Sequence, residues 1–372
     1  MNKRAYLYVA ASAVLFGLSA PLSKILVRGI SPVALAGLLY LGAFAGLSIF
    51  ALGRRLLGKE TEGRGAPLRR RDAVWLAGAV LTGGIAGPIC LLAGLARISG
   101  TAASLLLNLE GVATALIAVL VFRENAGRRV WVALALMTAA GVFLSWDPGR
   151  GRFEIAGSLL VALAMVCWGI DNNFTRNISD KDPLLIARVK GLVSGTVSLA
   201  LAVVLGLRLP LDASLLGGLL LGAFSYGLSL VLYIYGLRHL GAFRAGAFFS
   251  LAPFIGAIVS LTLLPDPVRW VLLPGAAFMA LGVALLAGEK HEHRHQHERL
   301  VHSHAHVHGD GHHGHDHDRG GPAAAGEVHS HEHVHEEIDH IHGHWPDIHH
   351  RHGHPGPDEA GRSGRAAKET EP

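Results

Sequence analysis

The sequence predicts an all-α integral membrane protein: ten transmembrane helices forming two inverted five-helix repeats, followed by a disordered tail. Three observations predict it. Of 372 residues, 51 % are hydrophobic and 16 % charged, against about 25 % charged in an ordinary soluble domain. The apolar residues fall in runs near the roughly 20 residues that a bilayer-crossing helix needs. The two halves of the apolar region repeat at a near-constant offset, as inverted-repeat membrane proteins do.

The ten runs are Ala5–Val27, Pro32–Leu52, Ala73–Leu95, Thr101–Phe122, Val130–Trp146, Ala156–Asn177, Pro183–Gly206, Ser214–Leu237, Ala245–Leu264 and Val268–Ala287. Most connections are short and carry helix breakers: Ser31-Pro32, Asp147-Pro148-Gly149, Asp182-Pro183 and Pro265-Asp266-Pro267. The long connection, Gly53–Asp72, holds seven Lys or Arg. Lys3 and Arg4 precede the first run as they would a secretory leader. Pro21 directly follows the cleavage-like Leu18-Ser19-Ala20, however, and the run continues to Val27, so it reads as a retained span. Basic residues orient the spans. With the N-terminus cytoplasmic, inside loops hold 16 Lys or Arg and outside loops six. Both termini are then expected in the cytoplasm, with the body in the inner membrane of a prokaryotic cell.

The formal charge of +5 conceals two unlike regions. Residues 1–287 carry +13 and residues 288–372 carry −8. The C-terminal region also holds 23 of the 24 His. The basic balance therefore belongs to membrane loops, and nucleic acid is not an expected partner. Cys90 and Cys167 sit in separate apolar runs and make neither a CxxC site nor a disulfide framework.

The repeat is visible at turns and polar positions. At an offset of 152, Phe16-Gly17 falls on Trp168-Gly169, Pro21 on Asn173 and Lys24 on Arg176. At 142, Gly94-Leu95 falls on Gly236-Leu237, Asn108-Leu109 on Ser250-Leu251 and Arg123-Glu124 on Pro265-Asp266. The long basic loop, absent from the second half, accounts for the change of offset. Each half has five spans, so the second must lie inverted. The expected units are 1–146, 147–287 and the tail 288–372.

The same residues resemble the EamA-like branch of the drug/metabolite transporter superfamily. They are Phe16-Gly17 with Pro21 and Lys24, the stretch Leu95 to Ala103 running into Leu107-Asn108-Leu109-Glu110, the close at Phe122-Arg123-Glu124, then Cys167-Trp168-Gly169 and Ala252-Pro253. The resemblance covers about residues 6–287. It implies two inverted repeats and transport of small organic solutes by alternating access. One departure stands out. The family often has Glu-Pro in the fourth span. Here that position is Glu110-Gly111, and the Pro lies in the ninth span as Ala252-Pro253.

Ionisable groups at membrane depth are costly and mark pathways. The pathway candidates are Glu110 with Asn108, the run Asp171-Asn172-Asn173 with Arg176, then Arg188, Pro21 and Lys24. Glu110 lies mid-span, where a carboxyl can take up and release a proton. A structural acid held by a neighbouring helix is the alternative. Asn172 and Arg176 share a helix face at i, i+4. Arg188 and Lys190 need anionic partners, either Asp171 or an anionic solute, unless they snorkel to the headgroups. Lys24, near the end of its span, is expected to snorkel likewise. Gly83-Gly84 followed by Gly87-Pro88 should interrupt the third helix, and interrupted helices often line transport sites.

In the tail, His alternates with other residues at 291/293/295/297, 302/304/306/308 and 329/331/333/335. A spacing of two places residues on one side of an extended chain. The candidate ligands are His291, His293, His295, His297, His302, His304, His306, His308, His329, His331, His333 and His335. Imidazole suits Zn, Ni and Co. With Gly, Pro and acids interspersed, the segment reads as disordered and its sites as exchangeable. Two HExxH strings, from His291 and His331, need a stable helix to work and are accidental in such a repeat. No hydrolase elbow or phosphate-binding loop occurs, and no enzyme is expected.

The sequence thus points to a secondary transporter of a small metabolite or drug-like solute. The expected surroundings are the lipid bilayer, the solute and divalent metals on the tail, with a homodimer compatible. Two other readings stay open: a Ni, Co or Zn transporter buffered by its tail, and a non-transporting membrane metal sensor or scaffold.

Overall fold

The structure is a computed structural model. It describes residues 3–57, 68–121, 127–147, 152–178, 181–266 and 268–287, with four tail segments, 292–297, 300–307, 328–335 and 338–343. Nine helical spans among the described residues are long and apolar enough to cross a membrane. They are α1 (Arg4–Leu26), α2 (Pro32–Leu56), α3 (Arg70–Leu95), α4 (Gly100–Ile117), α5 (Arg128–Ser145), α6 (Ile155–Thr175), α7 (Pro183–Val204), α8 (Ala213–Gly236) and α9 (Ala245–Leu263). The expected tenth span is shorter than Val268–Ala287. Val268 and Trp270 are exposed, non-helical residues, and α10 runs only over Leu272–Ala287. At 1.5 Å per residue it is about 24 Å long, short of the roughly 30 Å hydrocarbon core.

Helix starts follow local chemistry. Ser31 caps α2 by accepting from the Ala34 amide at 3.3 Å, with Pro32 at the first helical position. Asp182 caps α7 in the same way at the Leu184 amide, 2.8 Å away, ahead of Pro183. Each cap satisfies an orphan amide, and each Pro sits where no N–H is needed.

Packing obeys a pseudo-two-fold. Helices α2 and α7 pack on each other, as do α4 with α9 and α5 with α10, while α3 against α6 answers α8 against α1. Close approach of α2 and α8 depends on glycine. A Cβ on Gly42 would overlap the Leu219 carbonyl, and one on Gly222 would overlap that of Leu39. Small residues at such crossings replace the hydrophobic drive that lipid removes.

The inverted repeat extends to the helix defects. Residues Val80–Ala86 of α3 and Gly222–Leu228 of α8 are single π-helical segments. In α3 the Gly87 amide reaches back five residues to Thr82, and in α8 Ser229 reaches back five to Phe224. Those donors and acceptors are related by the offset of 142 read from the sequence. The α-helical path also breaks at Leu107–Asn108 in α4 and at Ser250–Leu251 ahead of Ala252.

After the first repeat, Trp146–Asp147 and Arg152–Phe153 pair as a short antiparallel ribbon. In the tail, where the sequence reading expected disorder, four of the alternating segments are extended and paired. Glu292–His297 runs antiparallel to Ile338–Gly343, and Leu300–Val307 to Val328–His335. His291 and His308 lie outside the described residues.

Candidate functional site

With ten spans, residue 3 and residue 287 emerge on the same face, called here the terminal face; the other is the distal face. Midway between them, the π-helical segment of α3 creates the site's centre. Pro88 has no N–H, so the Gly83 carbonyl lacks a backbone donor five residues on. Two side chains replace it. The Tyr40 hydroxyl of α2 donates to that carbonyl at 2.6 Å and the Trp168 indole of α6 at 3.0 Å. In α8 the residue equivalent to Pro88 is Leu230, which keeps its N–H.

Asp171 packs where Gly83 has no side chain: a Cβ on Gly83 would lie 2.6 Å from that of Asp171 and overlap its carboxylate. The Asp171 carboxylate pairs with the Lys190 ammonium of α7 and accepts from the Thr175 hydroxyl at 3.2 Å. Of the two partners left open by the sequence, an anionic solute or Asp171, Lys190 has Asp171. The neighbouring Gly84 makes room for Ser194, a fully buried residue whose hydroxyl has no hydrogen-bond partner among the described residues.

Glu110 follows the break in α4. Its Oε1 accepts from Asn172 Nδ2 of α6 at 2.8 Å, and the same amide approaches the Thr114 hydroxyl at 3.4 Å. No Lys or Arg pairs with Glu110 among the described residues; the Asn172 amide of the neighbouring helix holds it instead, which is the hydrogen-bonded form of the structural alternative. Asn172 is exposed and Glu110 half-buried. Polar groups at membrane depth face the bundle interior or a water-filled space rather than lipid. A string of rings borders the neighbouring helices. Tyr40 lies 5.9 Å from Tyr226, Tyr226 6.0 Å from Phe16, Phe16 5.3 Å from Phe249, and Phe249 4.6 Å from Tyr233.

Not every candidate joins this cluster. Asn108 and Asn173 turn back on their own helices, donating to the carbonyls of Leu105 at 3.2 Å and Gly169 at 2.8 Å. Arg188 donates from Nε to the Ser48 hydroxyl of α2 at 3.2 Å. Pro21 is buried in α1. The Arg176 side chain lies outside the described residues. Lys24 does not snorkel: its ammonium donates to the Leu95 carbonyl and, at 2.8 Å, to that of Ile98. The Leu95 carbonyl ends α3, where a cation meets the negative end of the helix dipole, and that of Ile98 lies in the turn just beyond it. Tyr40, Trp168 and Gly83 escaped the sequence reading as a unit. The available signal was a tyrosine in mid-span beside a glycine pair followed by Pro.

Polar contacts also mark the two faces. On the distal face Asp266 accepts from the Thr101 amide at 3.0 Å and its hydroxyl at 3.2 Å, and Arg269 pairs with Asp147 at 2.9 Å. On the terminal face Lys181 pairs with Asp72 at 3.5 Å.

Comparison with known proteins fits this architecture. The family model described as the EamA-like transporter family matches residues 3–146 and 155–288, one match per repeat. A curated relative named "Uncharacterized transporter", from Methanothermobacter thermautotrophicus, is 28 % identical over 297 residues, covering 76 % of this chain and 85 % of its own. A solved structure titled "Crystal structure of protein" superposes with a TM-score of 0.55 at 18 % identity, covering 77 % of this chain and 96 % of that one, and so shares the fold.

Proposed function

The chain belongs to the EamA-like transporter family and is a multi-pass membrane transporter, and from that premise we propose that it moves a small metabolite or drug-like solute by secondary active, alternating access. The observation that carries the reading is Glu110. It sits just after a helix break, at the junction of the two repeats, with a neutral amide as its hydrogen-bond partner. A membrane-depth carboxyl without a counter-cation is stable when protonated or when a cationic group approaches. Loading and release of a proton there, together with a solute, would couple the two fluxes. The terminal face is the cytoplasmic one in this reading, by the bias of basic loops, and the membrane is the inner one. Transport needs no covalent chemistry from the chain.

The test uses full-length protein in liposomes containing a pH dye. Solutes are drawn from amino acids, nucleosides, sugar phosphates and aromatic amines by their ability to raise wild-type Tm. Solute-driven proton movement should be present in wild type and absent in Glu110→Gln. Unchanged pH-dependent flux in the variant would remove Glu110 from the mechanism.

The tail supports a separate proposal: Zn, Ni or Co bound by its histidines. Strand register sets His302 opposite His333, His304 opposite His331 and His306 opposite His329. Deleting residues 288–372 should abolish metal binding by purified protein and lower cellular metal tolerance. Unchanged binding and tolerance would also dispose of the reading as a metal transporter. Solute flux by protein lacking residues 288–372 would exclude the reading as a sensor or scaffold.

A further inference from the structure

The terminal-face pair has a counterpart in the other repeat that is unmade. Asp72 closes the 3-10 turn Arg70–Asp72 that opens α3, directly ahead of the α-helical residue Ala73, and Asp212 caps α8, the equivalent helix, directly ahead of Ala213, within two residues of the place of Asp72 at the offset of 142. Lys181 lies in the connection from α6 to α7, and Arg28 in the equivalent connection from α1 to α2. Each helix start faces its neighbour across a glycine, tightly in the first repeat and loosely in the second. Near Asp72, a Cβ on Gly78 would meet the Phe174 ring of α6 at 2.6 Å. Near Asp212, a Cβ on Gly217 would meet Leu26 of α1 at 3.4 Å.

The chemistry of the two places differs in occupancy. Asp72 and Lys181 are 6 % and 4 % exposed and 3.5 Å apart. Arg28 and Asp212 are both exposed, and neither has an ion-pair partner among the described residues. Asp212 accepts from the Ser214 amide at 2.9 Å and from its hydroxyl. Those bonds, the hydroxyl's first, hold its carboxyl below the ordinary value, so it is an anion at neutral pH. Arg208 shares the Asp212 connection, as Arg71 adjoins Asp72 at 4.0 Å; neither links two helices. Lys24 is occupied by the Leu95 and Ile98 carbonyls.

In an inverted repeat, the two end states exchange the conformations of the halves. A contact made between α3 and the α6–α7 connection in one state is made between α8 and the α1–α2 connection in the other. We propose that Arg28 and Asp212 form, in the opposite-facing conformation, the ion pair that Asp72 and Lys181 form here, so that the two pairs are alternating latches. The inference rests on the alternating-access reading above and adds the residues that hold each end state.

Cross-linking tests it without a known solute. Cysteines replace Gly29 and Leu211 in full-length protein whose Cys90 and Cys167 are changed to Ala. A Cβ at Gly29 meets nothing within 4 Å and Leu211 is 96 % exposed, so both reporters spare the pair itself. The probe is a short bis-maleimide added to proteoliposomes. Removing one partner of a buried pair strands the other and disfavours the state that contains it. Asp72→Asn should therefore raise the cross-linking rate about tenfold, and Lys181→Gln should do the same. Adding Arg28→Gln should cancel the rise, and the swap Arg28→Asp with Asp212→Arg should restore it. A rate indifferent to both Asp72→Asn and Lys181→Gln, or a rise that survives Arg28→Gln, overturns the proposal. The readout is a contact and not a flux. Failure of Glu110→Gln to alter pH-dependent flux would leave the latches standing, and unresponsive cross-linking would leave the Glu110 mechanism standing.

Discussion

Helices α3 and α8 are bent by the same π-helical turn, and α4 and α9 break at the same point, yet the side chains gathered on the bends differ. In the first repeat the bend exposes the Gly83 carbonyl to Tyr40 and Trp168, and the break is followed by Glu110. In the second, Ser225 stands at the place of Gly83, Leu230 at that of Pro88, and the break is followed by Pro253. Backbone geometry is what an inverted repeat must conserve to open alternately on two faces. Charge is not under that constraint. Duplicated acids at the pseudo-axis would repel and double the desolvation cost. Keeping Glu110 in one half and the Asp171–Lys190 pair in the other yields a single asymmetric site on a symmetric frame.

The comparison breaks most easily at the ion pair. Asp171→Asn strands the Lys190 ammonium inside the membrane and should cost about 3–5 kcal/mol. Asp171→Asn with Lys190→Gln should recover most of that loss. The equivalent position of the first repeat is Ser19, where Ser19→Ala should cost under about 1 kcal/mol. Thermal unfolding in detergent, run as a double-mutant cycle, measures both; comparable losses at 171 and 19 would mean that the halves are chemically equivalent.

The bends themselves come next. Alanine favours helix over glycine, so Gly83→Ala should stabilise an ordinary helix. Here its Cβ meets Asp171, and overpacking should instead destabilise by about 1–3 kcal/mol. Ser225→Ala, at the matching place in α8, should change stability by less than about 0.5 kcal/mol. Such unequal behaviour at two positions related by 142 residues would show that the first bend is built around a side chain from the other repeat.

Much of the frame was legible in the sequence because span length and turn chemistry are local. Pro32 and Pro183 fix where α2 and α7 begin, and the offset of 142 carries through to the hydrogen bonds of both π segments. Hydropathy alone overextends the tenth span, since it does not register that Val268 and Trp270 precede the helix. Within the site, Glu110 and Asp171 stood out as charges in apolar runs. Their partners did not. Asn172 bonding Glu110 and Tyr40 bonding Gly83 join residues 62 and 43 apart in sequence, and no periodicity encodes such a meeting. Nothing local tells where Lys24 points, because a cation near a span end suits headgroups and helix-end carbonyls equally well.

The smallest expected effect concerns the carbonyl that Pro88 leaves without a backbone donor. Tyr40→Phe and Trp168→Phe each remove one of two donors to Gly83, and each should cost only about 1 kcal/mol because the carbonyl keeps a partner. The double variant leaves a buried acceptor unsatisfied and should cost more than the sum, by about 1–3 kcal/mol. If the missing N–H is the reason for the arrangement, Pro88→Leu in the double variant should return part of that excess, since it recreates the residue found at 230. Thermal unfolding of the four combinations gives the coupling. Additive losses, or no gain from Pro88→Leu, would mean that Tyr40 and Trp168 are held by packing alone, and that the difference between α3 and α8 lies elsewhere than in the hydrogen bonding of their bends.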